Sequence, residues 1–136
     1  MGVNYFETLI AVADDCPVNE SAVPPRNEAK PTIAAEHYRL ISERPYELTS
    51  EDLIFQIHAD KQGIPESERP AAREDYFSTG RACLRTSPLA KKYGWGLHSD
   101  AEGRLALVAM ESKEYRRLAS GDDGTQVVKA MRSSRK

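Results

Sequence analysis

The crowding of proline near the start of the chain most limits how the chain can fold. Four of the eight prolines stand at Pro17, Pro24, Pro25 and Pro31. Each proline removes a backbone hydrogen-bond donor and disfavours helix in the residue before it, so neither a helix nor a central strand can run through this stretch. We therefore predict a long loop over residues 14–31. Loops of this length are uncommon inside compact domains and are often functional.

The rest of the chain has the length and composition of one globular domain. It has 136 residues, of which 40% are hydrophobic and 29% are charged, as in an ordinary soluble protein. We expect a single domain over residues 1–136 with a short basic tail at residues 132–136. The longest purely apolar stretch, residues 105–110, is far shorter than the ~20 residues of a membrane span. The first residues lack the layout of a signal peptide, so we expect a cytoplasmic protein without membrane contact.

Apolar patterns predict four strands. Residues 7–13 are short, apolar and partly β-branched between polar neighbours, which is typical of a buried strand. Residues 94–98 and 104–110 flank a polar stretch that ends in glycine, which is typical of a hairpin. Residues 125–131 form the last predicted strand, after a cluster of turn-forming residues.

Helices are predicted near residues 33–44, 50–62, 66–77 and 113–119. Hydroxyl residues that can cap a helix precede three of them, at Thr32, Thr49 and Ser112. Together these elements predict an α+β fold, in which a small, mainly antiparallel sheet is covered on one face by helices. The order of the strands is left open by the sequence.

The densest group of chemically useful side chains lies between Arg81 and His98. Ser87 followed by Pro88 predicts a short helix, because the hydroxyl can cap it and proline suits the first helical position. Free amides and the positive end of the helix dipole would attract a phosphate or carboxylate there. The predicted anion site comprises Arg85, Ser87, Lys91, Lys92, Tyr93, Trp95 and His98. The alternative is structural: an ordinary cap, solvent-facing lysines, and a Tyr-Gly-Trp-Gly stretch that anchors the hairpin in the core.

A second hypothesis for this segment is catalysis. Cys83 and His98 could form a thiolate–imidazole pair, oriented by an acid such as Asp100. The neighbouring Arg81 and Arg85 would then lower the pKa of the thiol. However, no local signature of a cysteine enzyme surrounds Cys83, and an isolated cysteine is most often a small buried hydrophobic residue. A binding role is therefore favoured over an enzymatic one.

Metal and cofactor sites are not predicted. His37, His58 and His98 share no ligand spacing, and the two cysteines do not form a Cys-x₂-Cys pair. Gly94-x-Gly96 lacks the third glycine and the βαβ setting of a dinucleotide-binding loop. We expect no metal ion, no cofactor and two free thiols.

Charge is distributed unevenly along the chain and limits the possible partners. Residues 1–80 carry 7 Lys/Arg and 15 Asp/Glu, whereas residues 81–136 carry 12 Lys/Arg and 6 Asp/Glu. The overall isoelectric point near 5.9 argues against a duplex DNA binder. The predicted partner is an anionic small molecule or a nucleotide. A third hypothesis is assembly, either as a homo-oligomer or with another protein, through the long loop.

The run Cys83-Leu-Arg-x-Ser-Pro-Leu-x-Lys-x-Tyr-Gly-Trp-Gly-x-His98 resembles a family of small, mostly bacterial proteins known only as a domain of unknown function. The resemblance extends along most of the chain. It includes Asp15-Cys16-Pro17, residues 46–52 and the Lys129-Ala-Met-Arg132 ending. It implies no activity, so the function must be argued from the residues themselves.

Overall fold

The secondary structure lies close to the predicted elements. The computed structural model describes residues 3–26 and 29–133. Its strands are β1 (Thr8–Ala11), β2 (Trp95–Ser99), β3 (Leu105–Ala109) and β4 (Gln126–Lys129). Its helices are α1 (Ile33–Glu43), α2 (Ser50–Gln62), α3 (Arg69–Tyr76), α4 (Pro88–Lys92) and α5 (Lys113–Ser120). The predicted α+β class is confirmed.

The sheet has the order β3-β2-β1-β4. The hairpin β2–β3 and the pair β1–β2 are antiparallel. By contrast, β4 pairs with β1 in parallel, with Leu9 opposite Val127. The first strand of the chain is thus central, and the last strand is an edge. Because β1 and β4 run in the same direction, the chain segments that follow them leave the sheet at the same end.

Hydroxyl caps fix where the helices begin. The Thr32 hydroxyl accepts a hydrogen bond from the Ala35 amide at 3.1 Å. Thr49 and Asp52 form a reciprocal capping box at the start of α2, and Ser112 caps α5. Each cap satisfies an amide that the first helical turn leaves without a partner.

The sheet separates two hydrophobic clusters. Ile10 and Leu97 point into the larger one, which α1, α2 and α4 complete. Leu9 lies in the smaller one, beneath Leu118 and Tyr115 of α5. Helices therefore cover both faces, not the one face predicted, because short α5 buries an apolar edge of its own against β1 and β3.

The proline-rich loop carries no helix or strand in the part that the structure describes, residues 14–26 and 29–31. In the predicted basic tail, residues 134–136 lie outside the described residues. Among the described helices, none has the length and apolar character needed to cross a membrane.

Candidate functional site

Ser87 lies at the start of α4, the short helix predicted from Ser-Pro, but its hydroxyl faces inward. The side chain is only 1% exposed. Its Oγ accepts a hydrogen bond from the Leu89 amide at 3.3 Å and lies 2.8 Å from Nδ1 of His37 in α1. Burial lowers the pKa of His37 to about 4, so the imidazole is neutral at pH 7. Ser87 therefore joins α4 to α1 through a buried hydrogen bond.

Trp95 and Tyr93 hold the proline-rich loop against the sheet. The Trp95 indole N–H donates to the carbonyl of Ala22 at 2.9 Å, and the Ala22 amide donates to the carbonyl of Tyr93 at 2.9 Å. The indole ring also packs on Tyr38 of α1, with ring centroids 5.5 Å apart. These contacts give the Trp95 side chain a structural role at the loop, whereas Tyr93 contributes its backbone carbonyl there and packs its side chain against the larger hydrophobic cluster.

The two glycines around Trp95 are required by close approaches of the backbone. A Cβ on Gly94, whose φ is +75°, would lie 2.9 Å from the carbonyl oxygen of Glu20. A Cβ on Gly96 would lie 2.9 Å from a ring carbon of Tyr115. Real Cβ atoms do not approach so closely without displacing a neighbour, so the loop and α5 can both lie against β2 only if these positions lack side chains.

A cavity of about 340 Å³ lies between the loop and α1. Pro24, Pro31, Ala35 and Tyr38 form part of its wall. Tyr38 also packs on Trp95, so this cavity lies next to the contact between the loop and Trp95.

Arg85 lies where β1 and β4 end. Its Nε donates to the carbonyl of Lys129 at 2.6 Å, and its own carbonyl accepts from the amide of Met131 at 2.8 Å. The Ala13 amide donates to the carbonyl of Ala90 at 2.9 Å, which places the next residue, Lys91, beside the end of β1. Four basic residues of these segments follow or lie beside the ends of β1 and β4, and we call them the basic end: Arg85, Lys91, Lys129 and Arg132.

Two carboxylates also lie at the basic end. Asp14 forms an ion pair with Lys129, and this contact raises the pKa of Lys129. The Asp15 carboxylate accepts a hydrogen bond from the Ser133 amide at 3.2 Å. Arg85, Lys91 and Arg132 make no ion pair with any residue in 3–26 or 29–133. The basic end therefore has more positive than negative charge.

The thiol of Cys83 lies within hydrogen-bond distance of a tyrosine hydroxyl. The Tyr5 hydroxyl lies 3.2 Å from Sγ of Cys83, and burial together with this contact raises the pKa of Tyr5 to about 12. Tyr5 packs against the larger hydrophobic cluster, so this pair lies on the face of the sheet covered by α1, α2 and α4.

His98 lies on the other face. It is the cross-strand partner of Leu9, and paired residues share a face. Its Nδ1 lies 2.8 Å from the hydroxyl of Tyr46, and the two rings meet edge-on. Because the sheet lies between Cys83 and His98, the structure does not bring the predicted thiol and imidazole together. It likewise separates His98 from Arg85, Ser87, Lys91, Tyr93 and Trp95, while Lys92, at the end of α4, is exposed.

Nothing in the sequence indicated which distant residues these side chains would contact. His37 stands 50 residues from Ser87, and Tyr46 stands 52 residues from His98. Asp14 lies 115 residues from Lys129. Local patterns identify helices and caps, whereas such pairs depend on how distant segments pack.

Comparison with known proteins identifies the family. The model of a family of unknown function matches residues 1–136. The chain belongs to this Family of unknown function (DUF6157). This confirms the resemblance to a domain of unknown function. Neither a search of curated proteins nor a search of solved structures returned a match.

Proposed function

We propose that this member of DUF6157 binds a small ligand bearing a phosphate or a carboxylate, and that the basic end is its site. The observation that carries this proposal is the fixation of Arg85. Its Nε is held by the carbonyl of Lys129, while its two terminal amino groups make no hydrogen bond to any described residue. A guanidinium held in this way can offer its outer edge to an anion, which it recognises through paired N–H donors.

The charge of the basic end supports the same ligand class. Four cations share it with the carboxylates Asp14 and Asp15, and Asp14 is already paired with Lys129. An anion near these residues would meet a net attraction, which solvent and salt weaken but do not abolish at short range.

The position of the site adds a third argument. The segments that follow the parallel strands β1 and β4 meet here. Residues of three separate segments lie at this end of the sheet: Asp14 and Asp15, Arg85, and Lys129. One site thus draws on segments that are far apart in sequence.

Arg85 and Lys91 belong to both the anion site predicted from the sequence and the basic end. Lys129 and Arg132 belong to the basic end alone. The Ser87 hydroxyl is buried and already bonded to His37, so we do not assign it to the ligand. The Trp95 indole is bonded to the loop, and the Tyr93 side chain packs against the larger hydrophobic cluster. The exposed Lys92 stays a prediction.

The other two hypotheses stay predictions with less support. A cysteine enzyme that uses Cys83 and His98 lacks the contact it needs, because each group bonds to a different tyrosine. Assembly through residues 14–31 draws on the exposed Val23, with 62% of its surface accessible, but nothing else favours it.

The test is calorimetric titration of the full chain with inorganic phosphate, pyrophosphate, citrate and adenosine monophosphate. We expect at least one of these probes to bind, and Arg85→Ala to weaken that binding by about 10- to 100-fold, the loss of a charge-assisted pair. Arg116→Ala is the matched control, because Arg116 is an exposed arginine of α5 whose one hydrogen bond to a described residue goes to the backbone carbonyl of Glu111. No binding by any probe, or an equal loss in both variants, would contradict the proposal.

A further inference from the structure

A second cavity lies on the opposite face of the sheet, beneath His98. It measures about 210 Å³ and lies between the start of β1, the turn of the β2–β3 hairpin and the end of α5. Its polar lining consists of Glu7, His98, Ser99, Asp100, Arg117, Asp123 and Thr125. No residue of the basic end contributes to it.

Backbone strain is concentrated at this cavity. Among the described residues, Glu7 with φ +47° and Tyr46 with φ +58° are the only non-glycine residues in the left-handed region. Glu7 lines the cavity, and Tyr46 holds His98. Such conformations cost about 1 kcal/mol or more and persist where the surroundings enforce them, often at functional sites. Here the Glu7 amide donates to the backbone carbonyl of Asp100, and the Glu7 carbonyl accepts from the backbone amide of Gln126, each at 2.9 Å.

His98 presents an unoccupied ring nitrogen. Its Nδ1 is engaged by Tyr46, while its Nε2 makes no hydrogen bond to any described residue. Burial lowers the pKa of His98, although the nearby carboxylates of Glu114, Asp123 and Asp100 act against this change. The imidazole is therefore neutral at pH 7. When Nδ1–H donates to the Tyr46 oxygen, Nε2 is a hydrogen-bond acceptor.

Most of the other charges at the cavity are already satisfied. Arg117 donates to Glu114 at 2.8 Å and to Asp123 at 2.6 Å. Asp100 accepts from the backbone amide and from Nε of Arg104. Glu7, in contrast, has a carboxylate that forms no ion pair or hydrogen bond with any described residue. The acceptors left for a ligand are thus the Glu7 carboxylate and, in the tautomer that carries its proton on Nδ1, Nε2 of His98.

We propose that this cavity binds the ammonium group of a small primary amine, held between the Glu7 carboxylate and Nε2 of His98. An ammonium group has three N–H donors and no acceptor, which suits a site whose free groups are acceptors. The occupied Arg117 has no free charge with which to attract an anion. The cavity therefore takes a ligand opposite in charge to that proposed for the basic end. A negative binding result at one site leaves the proposal for the other unaffected.

The test follows the histidine side chains of the full chain by nuclear magnetic resonance during titration with ethanolamine hydrochloride, with sodium phosphate titrated in parallel. Ethanolamine is expected to shift the His98 signals saturably while those of His37 and His58 stay in place. Glu7→Gln should weaken this binding at least about tenfold, since a charged hydrogen bond is lost. Glu74→Gln is the matched control, because Glu74 is an exposed carboxylate of α3 that does not line the cavity.

Three results would overturn the proposal: no movement of the His98 signals, an equal response to phosphate, or unchanged affinity in Glu7→Gln. If Glu7→Gln does not fold, His98→Gln replaces it, and the backbone amide signals of Asp123 and Thr125 report binding. Those amide signals should shift with ethanolamine in the native chain and stay in place in His98→Gln. A shift that persists in His98→Gln would equally overturn the proposal.

Discussion

The basic end and the His98 cavity use their charges in opposite ways. At the basic end, three of four cations lack an ion pair with the described residues, and positive charge is in excess. At the His98 cavity, the only lining cation, Arg117, is matched by Glu114 and Asp123, and a carboxylate is left over. The basic end lies where β1 and β4 end, whereas the cavity lies where these strands begin. A net charge of −2 therefore conceals two local fields of opposite sign.

This difference does not simply repeat the division of charge along the sequence. The basic end takes its cations from residues 85–132 but its carboxylates from Asp14 and Asp15. The cavity takes Glu7 from the acidic half of the chain and its other carboxylates from the basic half. Folding thus sorts charge by position in space, and the two halves do not neutralise each other everywhere.

The largest expected effect is the loss of stability at acidic pH that comes from the buried His37. The pKa of His37 is lowered to about 4 in the folded chain, below the ordinary value near 6.5. The unfolded state therefore binds more protons between these values, and stability is lost as pH falls from 6.5 towards 4. The loss should be roughly 3 kcal/mol from this one group. Urea unfolding at a series of pH values, compared with His37→Gln, measures it.

The His37→Gln chain should show a flatter pH dependence over this range, because glutamine does not titrate. Equal slopes for the two chains would mean that other groups, such as Asp52 with its lowered pKa, carry the acid sensitivity.

A smaller effect would disturb the cavity and leave the basic end intact. In Gly96→Ala the added Cβ would meet Tyr115 at 2.9 Å and Leu9 at 3.1 Å. Overpacking of this kind costs about 1–3 kcal/mol, and α5 would have to shift. We expect lower stability and weaker ethanolamine binding, with phosphate binding retained. Ser78→Ala, in an exposed loop, serves as the control. Unchanged stability of Gly96→Ala would show that α5 can move away from β2 at no cost in free energy.

The smallest effect tests the strain at the cavity itself. Glycine adopts a positive φ without steric cost, so Glu7→Gly should relieve the strain and raise stability by up to about 1 kcal/mol, less what the more flexible unfolded chain regains. The same change should abolish ethanolamine binding. Chemical denaturation and the histidine titration measure the two outcomes. A less stable variant would show that the Glu7 side chain stabilises the fold, which would remove the strain argument for the site.

Sequence patterns were sufficient for the elements because their signals are local. Thr49 and Asp52 stand three residues apart, and together they determine where α2 begins. The parallel pairing of β4 with β1 has no comparable local signal, since Leu9 and Val127 are brought together only by the packing of everything between them. The position of α5 on the second face depends on that same packing.

The candidate sites were harder to predict for the same reason. Adjacent residues of β2 point to opposite faces, so a single chemically dense segment supplies Trp95 to one face and His98 to the other. The sequence correctly indicated the short helix at Pro88. It did not indicate that the Ser87 hydroxyl would be hydrogen-bonded to His37. Tyr46 was not singled out at all, because its role depends on a left-handed turn that brings its hydroxyl to His98.

The order of the sheet has a consequence for how the chain is made. During synthesis β1 leaves the ribosome early, while β4, its hydrogen-bonded neighbour on one side, follows more than a hundred residues later. Until then one edge of the central strand has no partner, and pairing across so long a separation is intrinsically slow. Nascent chains would expose Leu9, Ile10 and their backbone amides to other chains, a condition that favours aggregation. Expression at low temperature or with chaperones should therefore raise the yield of folded protein.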